Sequence, residues 1–455
     1  MKRFFYVTLI TLFSALNLSA QNSDRQVNVT IYNSDLGVIR EIRRVNLAKG
    51  SGILELGNVS QKIDATSVRI KFDGSVLEQN YQYDLVSLTK ILEKYIDKEV
   101  TLIGEKDEFI EGTLLSIANN QAVIKKKNGG LTLLPNLSAY RISVDALPEG
   151  LITSPTLKLH LFANNGGSQE LELAYMTGGM TWHAEYVAVL DKDDKNLGIN
   201  AWVSIQNNSG TTFKNANLKL VAGEVNLLPK NYNRDSPQPT MYFDSMEKGA
   251  GAQFEEKEFF EYHIYNLQRP ADVANNEIKQ IQLFDGNGIP VVKKYRFLSD
   301  YYGAAGKRDV NVIVEFENKQ EFGLGIPMPK GKVRIYKSDG SSLEFVGEDA
   351  IDHTPREEKV SLKLGNAFDI VAEEVLNDYK QISKNVYEST FTLKLKNRKK
   401  EEVTINVVKN VGYNWEVKNN NLPYSKVDAD TIEFNVAVKE GAETELKYTL
   451  RYSYQ

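Results

Sequence analysis

The chain contains no cysteine. Disulfides, thiolate nucleophiles and every cysteine-based metal site are therefore excluded. Histidine is also scarce, with four residues in 455, and none stands four positions from His183. A histidine-rich zinc site has no support in that spacing. Long basic runs are missing and the formal net charge is −5, which makes nucleic acid a poor partner. Beyond residue 20 no apolar stretch reaches the length of a membrane-spanning helix.

What is present first is an N-terminal segment of distinct grammar. Lys2 and Arg3 precede the apolar run FFYVTLITLFSAL, which ends in the small residues Ser19 and Ala20. That order predicts a cleavable secretory signal over residues 1–20, with no transmembrane segment in the mature chain. No cysteine follows the run, so a lipid anchor is not expected. Cleavage removes two positive charges and no acids, moving the net charge from −5 to −7. Export without cysteine points to a bacterial envelope, at the periplasm or the cell surface.

The mature part reads as strands. Hydrophobic residues make up 42%, and the 23 Tyr and 19 Phe favour β structure. In VNVTIY, Val27, Val29 and Ile31 share one face, and similar alternation recurs to the C-terminus with Gly and Asp turns between runs. One segment changes period: Leu85, Leu88, Leu92 and Ile96 recur at helical spacing, with Asp84 as the expected N-cap. Five short strands follow it within about fifty residues, the reading of a small SH3-like or Sm-like barrel. The predicted fold class is thus mainly β: antiparallel β-sandwich domains, an inserted small SH3-like or Sm-like barrel and one short helix.

The changes of period predict successive parts of the chain. Residues 21–84 form an N-terminal β domain, with 145–160 as its candidate continuation. Residues 85–144 carry the helix and barrel, and 155–226 begin a second β region. Residues 227–260 lose periodicity and read as a loop or linker whose acids Glu255, Glu256 and Glu258 are solvated. Residues 261–455 have the turn spacing of a sandwich.

Several motifs mimic known sites and fail on inspection. HAE at 183–185 matches the H-x-E of zinc deaminases, but the partner cysteines are absent and the stretch alternates as a strand. His183 and Glu185 then face one way, Trp182 and Tyr186 the other. DKDDKN at 191–196 has Lys195 and Asn196 where a calcium loop needs an oxygen ligand and glycine, so a hairpin turn is expected. GLGIPMPKGK and GAAGK lack the spacing of a phosphate loop, and Pro327 and Pro329 remove amide donors. No cofactor or metal site is predicted, and no catalytic set is visible.

The densest polar cluster is GEDAIDHTPREE, which offers Asp349, Asp352, His353 and Arg356 as candidate binding residues. Trp182, Tyr186 and Trp202 are candidates for stacking on a sugar.

The stretches TGGMTWHAEYVAVLD, WVSIQNNSGTTFKNANLKLVAGEVN and GLGIPMPKGKVRIYKSDGSSLEFVGEDAIDHTPREEKVSLKLGNAFDI, taken in order, resemble the bacterial domain of unknown function 4139. That domain also occurs in mucoidy-inhibitor-A-like proteins, and the likeness covers roughly residues 155–455. The barrel stands where those relatives carry a coiled coil. The resemblance implies an exported, β-rich envelope protein and carries over no catalytic residues. The leading expectation is a non-enzymatic envelope protein whose partners are proteins or glycans, with no set oligomeric state. The alternative is a hydrolase of envelope polysaccharide or peptide, with Asp349 and Asp352 in its site.

Overall fold

The computed structural model describes residues 25–104, 108–223, 225–226, 253–259, 261–300, 306–412 and 414–453. Residues 1–24, which include the expected signal, and residues 227–252 lie outside them. Among the described residues the chain is mainly β, built from antiparallel sheets with a single α-helix.

The alternating segments form strands because each has one apolar face to bury. In Gln26–Tyr32, Val27, Val29 and Ile31 are buried while the residues between them are not. This strand pairs with Gly37–Leu47 on one side and in parallel with Phe213–Ala222 on the other. Gly167–Thr177 and Arg69–Lys71 continue the sheet beyond Gly37–Leu47, and Tyr262–Leu267 and Phe254–Phe259 continue it beyond Phe213–Ala222. The last of these falls in the stretch expected to be a loop. FEEKEF is a strand, and its Glu256 is nearly buried and ion-paired. Four charged residues separate its two Phe, so no period of two could be read from sequence.

A second sheet of three strands, Gly50–Gly57, Thr156–Ala163 and Gly74–Gln82, holds the insertion. Thr156 pairs with Gln82, so the chain leaves and re-enters at one point. Between them lie the helix Leu88–Lys94 and a five-stranded antiparallel sheet around its own small core of Leu92, Val100, Leu102, Leu114 and Ile124. The helix begins later than its apolar spacing predicts. Ser87 caps it, accepting from the Lys90 amide at 3.3 Å, while Asp84 instead pairs with the Lys90 ammonium.

The third sheet runs in the order Glu277–Pro290, Asn196–Asn207, Met180–Leu190, Gly331–Ser338, Leu343–Ile351. Its inner face shares one continuous core with the first two sheets. The fourth, of nine strands, encloses a separate core around Phe297, Phe391, Phe434 and Tyr448. Two long strands pass through both. Gly306–Glu317 puts Phe316 and Val314 in the first core and Val310 in the second; Lys359–Ser383 does the same with Val360 and Leu362, then Ile370 and Ala372. Their register shifts between Asp309 and Asn311 and between Val312 and Ile313, the places where the pair bends from one core to the other.

A buried asparagine closes the loop after three strands. Asn207 donates to the carbonyls of Thr211 and Val273 and accepts from the Ser209 amide and hydroxyl. Asn318 binds the Ile326 and Pro355 carbonyls and the Gly325 amide. Asn397 reaches the carbonyls of Glu401, Val438 and Lys439 and the Lys399 amide. Each side chain replaces the ladder bonds that stop where the strand ends.

Candidate functional site

The strand Met180–Leu190 separates two environments with a period of two. Trp182, Ala184, Tyr186 and Ala188 are fully buried, whereas His183 is exposed and Glu185 partly so. Trp182 donates its indole N–H to the Val221 carbonyl at 3.1 Å and packs edge-on against Tyr265 at 6.1 Å. The Tyr186 hydroxyl donates to the Pro329 carbonyl at 2.6 Å, and Tyr265 to that of Pro327 at 2.8 Å. Burial drives the pKa of both hydroxyls upward, so they remain donors. Of the aromatic candidates, Trp182 and Tyr186 thus hold the GLGIPMPKGK loop and the sheets together from inside, where no sugar reaches them.

The outward face of the same sheet is different. Trp202 lies directly across from Glu185, Gln282 lies across from Trp202, and Lys332 flanks Glu185 on the other side. One row therefore reads Gln282, Trp202, Glu185, Lys332. The next row holds Gln280, Ser204 and His183, and the row on the other side holds Asn200, Val187 and Arg334. Glu185 is fixed from several directions: Ser204 donates to it at 3.0 Å and Gln280 at 2.8 Å, with His183 at 3.6 Å and Arg334 at 3.8 Å. Trp202 keeps 37% of its surface exposed beside this ordered carboxylate. An aromatic face bordered by amides, a carboxylate and a guanidinium suits a ligand with both C–H and hydroxyl surfaces.

The polar candidates around 349–356 do not converge. Asp349 spends both oxygens on backbone, accepting from the Ala350 amide at 2.9 Å and from the Lys363 amide at 2.7 Å. It splices Leu343–Ile351 to Lys359–Ser383. Asp352 is exposed, and its carbonyl accepts from the Thr354 hydroxyl. His353 accepts from the Lys330 amide through Nδ1 at 3.2 Å. Arg356 reaches back to Glu256 at 2.5 Å, which also holds His263 at 2.8 Å. That contact ties the turn at 352–358 to the Phe254–Phe259 hairpin, a partnership one hundred residues long that the local sequence could not reveal.

The turn DKDDKN is tied down in the same manner. Asp191 accepts from the Lys195 amide and the Asn196 side chain, and Asp194 pairs with Lys293 and Lys337. Asp194 sits at φ 56°, a left-handed position that aspartate tolerates. Among the described residues no group of three or more His, Asp or Glu side chains is placed to hold a metal ion. On the inserted sheet an open depression of about 570 Å³ lies between Phe109, Lys126, Leu133 and Tyr140.

A second polar group sits inside the C-terminal core. Lys409 and Glu374 are fully buried, with their charged atoms 3.9 Å apart. Ser299 donates to Glu374 at 2.6 Å and accepts from Lys409 at 3.0 Å; Tyr448 donates to Glu374 at 3.1 Å. Lys409 also donates to the Asp300 carbonyl at 2.6 Å. Burial pushes the Lys409 ammonium down to about 8, against the pull of Glu374 and Asp300. The sequence does carry a sign of this group. Lys409 stands in register with the inward residues Val403, Ile405 and Val407, and Glu374 with Ile370 and Ala372.

The fold and its outward face define a mainly β protein with a polar, tryptophan-centred sheet surface. No helix among the described residues is long and apolar enough to cross a membrane. Residues 171–455 match the family described as a domain of unknown function (DUF4139), and the chain belongs to that family. No curated protein matches it. The match begins inside the strand Gly167–Thr177, so the strands Gln26–Tyr32 and Gly37–Leu47 complete a sheet that the family region shares.

Proposed function

We propose that the protein is exported to the bacterial envelope and binds glycans there without catalysis, using the outward face around Trp202. The observation that carries this reading is the row Gln282, Trp202, Glu185, Lys332, in which a half-exposed indole is flanked by fixed polar groups. Stacking on an indole uses the apolar side of a pyranose, and amides and charged groups beside it take the hydroxyls. The signal-like segment Lys2 to Ala20 supports export. The hydrolase alternative gains no geometric support, since both Asp349 oxygens already accept backbone amides.

The test is calorimetric titration of the mature protein with fragments of envelope polysaccharide and peptidoglycan, alongside a glycan array. Saturable binding that Trp202→Ala weakens tenfold or more, about 1.4 kcal/mol, supports the reading. Absence of binding across both panels, or binding indifferent to Trp202→Ala, removes it. Product release from the same polysaccharides, lost in Asp352→Asn, would restore the hydrolase.

A further inference from the structure

The buried Lys409–Glu374 group plays no part in the sheet face, and its chemistry is unusual for a core. A charge pair taken out of water carries a desolvation cost that its mutual attraction often fails to recover. Here the pair is not in direct hydrogen-bond contact; a serine hydroxyl lies between its members, 2.6 Å from the carboxylate and 3.0 Å from the amine. The enclosure is aromatic. The Lys409 amine sits 3.9 Å from the centre of the Phe391 ring, and Tyr448 stacks on Phe391 at 5.3 Å and on Phe434 at 5.2 Å. Burial in such a setting makes the Lys409 ammonium easier to deprotonate than one in water.

We propose that Lys409 and Glu374 condense into an intramolecular isopeptide bond, a covalent cross-link between the strands Val403–Asn410 and Lys359–Ser383. A proton first passes from the Lys409 ammonium through Ser299 to the Glu374 carboxylate, leaving a free amine and a carboxylic acid. The amine nitrogen then attacks Cδ of Glu374, forming the C–N bond and moving the carbonyl electron pair onto Oε2. As the carbonyl reforms, the bond from Cδ to Oε1 breaks. The surplus proton on nitrogen travels through Ser299 to Oε1, which leaves as water. No oxidant or co-reactant enters, and both charges disappear. Ser299 touches both partners, so it is the relay that the geometry offers. Tyr448 donates to Oε1, the oxygen that leaves. The cross-link would join strands that lie three places apart in the sheet order, in a chain that has no disulfide to staple it.

Intact mass of the purified protein in denaturant, with tryptic mapping, reads the bond directly. The expected result is a deficit of one water, with the peptide 364–380 joined to 401–418, because trypsin does not cut after an acylated Lys409. Recovery of separate peptides at their full masses from wild-type protein overturns the proposal, and needs no variant that must fold. Glu374→Gln should join the same peptides with loss of ammonia in place of water, a product that only this bond explains. Lys409→Met and Glu374→Ala should show no deficit. Ser299→Ala keeps both partners and should give a mixture of linked and unlinked chains; complete linkage in that variant would remove the relay.

Discussion

The indole N–H of Trp182 donates to the Val221 carbonyl at 3.1 Å, and this bond joins the sheet of Met180–Leu190 to that of Phe213–Ala222 across the first core. Trp182→Ala removes the ring as well as the bond. The expected loss is about 3–5 kcal/mol of unfolding free energy, measured by urea denaturation. Trp182→Phe keeps much of the volume and should lose less.

Trp202 occupies the other face of the same sheet and should behave in the opposite manner. With 37% of its surface exposed, Trp202→Ala should lower stability by less than half of what Trp182→Ala does, since it opens no closed cavity. A denaturation series on both variants checks this. Equal losses would place Trp202 in the core economy of the sheet and weaken its assignment to a binding face.

Asn207 satisfies two carbonyls and one amide from outside its own strand. Asn207→Ala removes these bonds, leaving the Thr211 carbonyl only the Ser209 hydroxyl at 3.4 Å, at about 1–3 kcal/mol for each buried group left unsatisfied. Asn207→Asp offers no donor to the carbonyls of Thr211 and Val273 and should be no better tolerated. Thermal unfolding of the two variants is the measurement, and a loss below about 1 kcal/mol would mean that water takes over the role.

Asp194 should make part of the stability acid-sensitive. Burial alone would raise its pKa, but hydrogen bonds and charge from Lys293 and Lys337 outweigh burial and hold it below the usual carboxylate value. A depressed folded-state pKa means that the unfolded chain takes up the proton first as pH falls. The contribution is therefore complete above the ordinary value of 3.8 and drains away as pH drops through the lower folded value. Asp194→Asn should accordingly be destabilised at neutral pH, with the gap to wild type closing in acid. Chemical denaturation at pH 7 and near pH 3 reads that closure; a gap that stays constant would show that the two lysines contribute nothing through charge.

Much of the architecture was legible because a sheet with one buried face imposes a period of two. Val27, Val29 and Ile31 mark their strand directly, and so do Trp182, Ala184 and Tyr186, which share a face as the alternation predicts. The helix was legible in kind and not in its start, because the spacing of Leu85, Leu88 and Leu92 says nothing about which side chain caps the first turn. Ser87 does so, and only geometry shows it. The strand Phe254–Phe259 was hidden by its charges, since Glu256 finds Arg356 a hundred residues away.

The sequence by itself determined the exclusion of cysteine chemistry and the strand pattern, an alternation that assigns strand residues to one of two faces. In the structure Lys409, Glu374 and Glu41 stand in the inward register of their strands. Only the tertiary structure decided which face of TWHAEY meets the core and what surrounds each buried charge. Glu41 finds Arg25 and Arg43; Glu374 finds Ser299, Tyr448 and Lys409. A period of two says that a side chain points inward, but its partner comes from strands far away in sequence, and their meeting is fixed by packing.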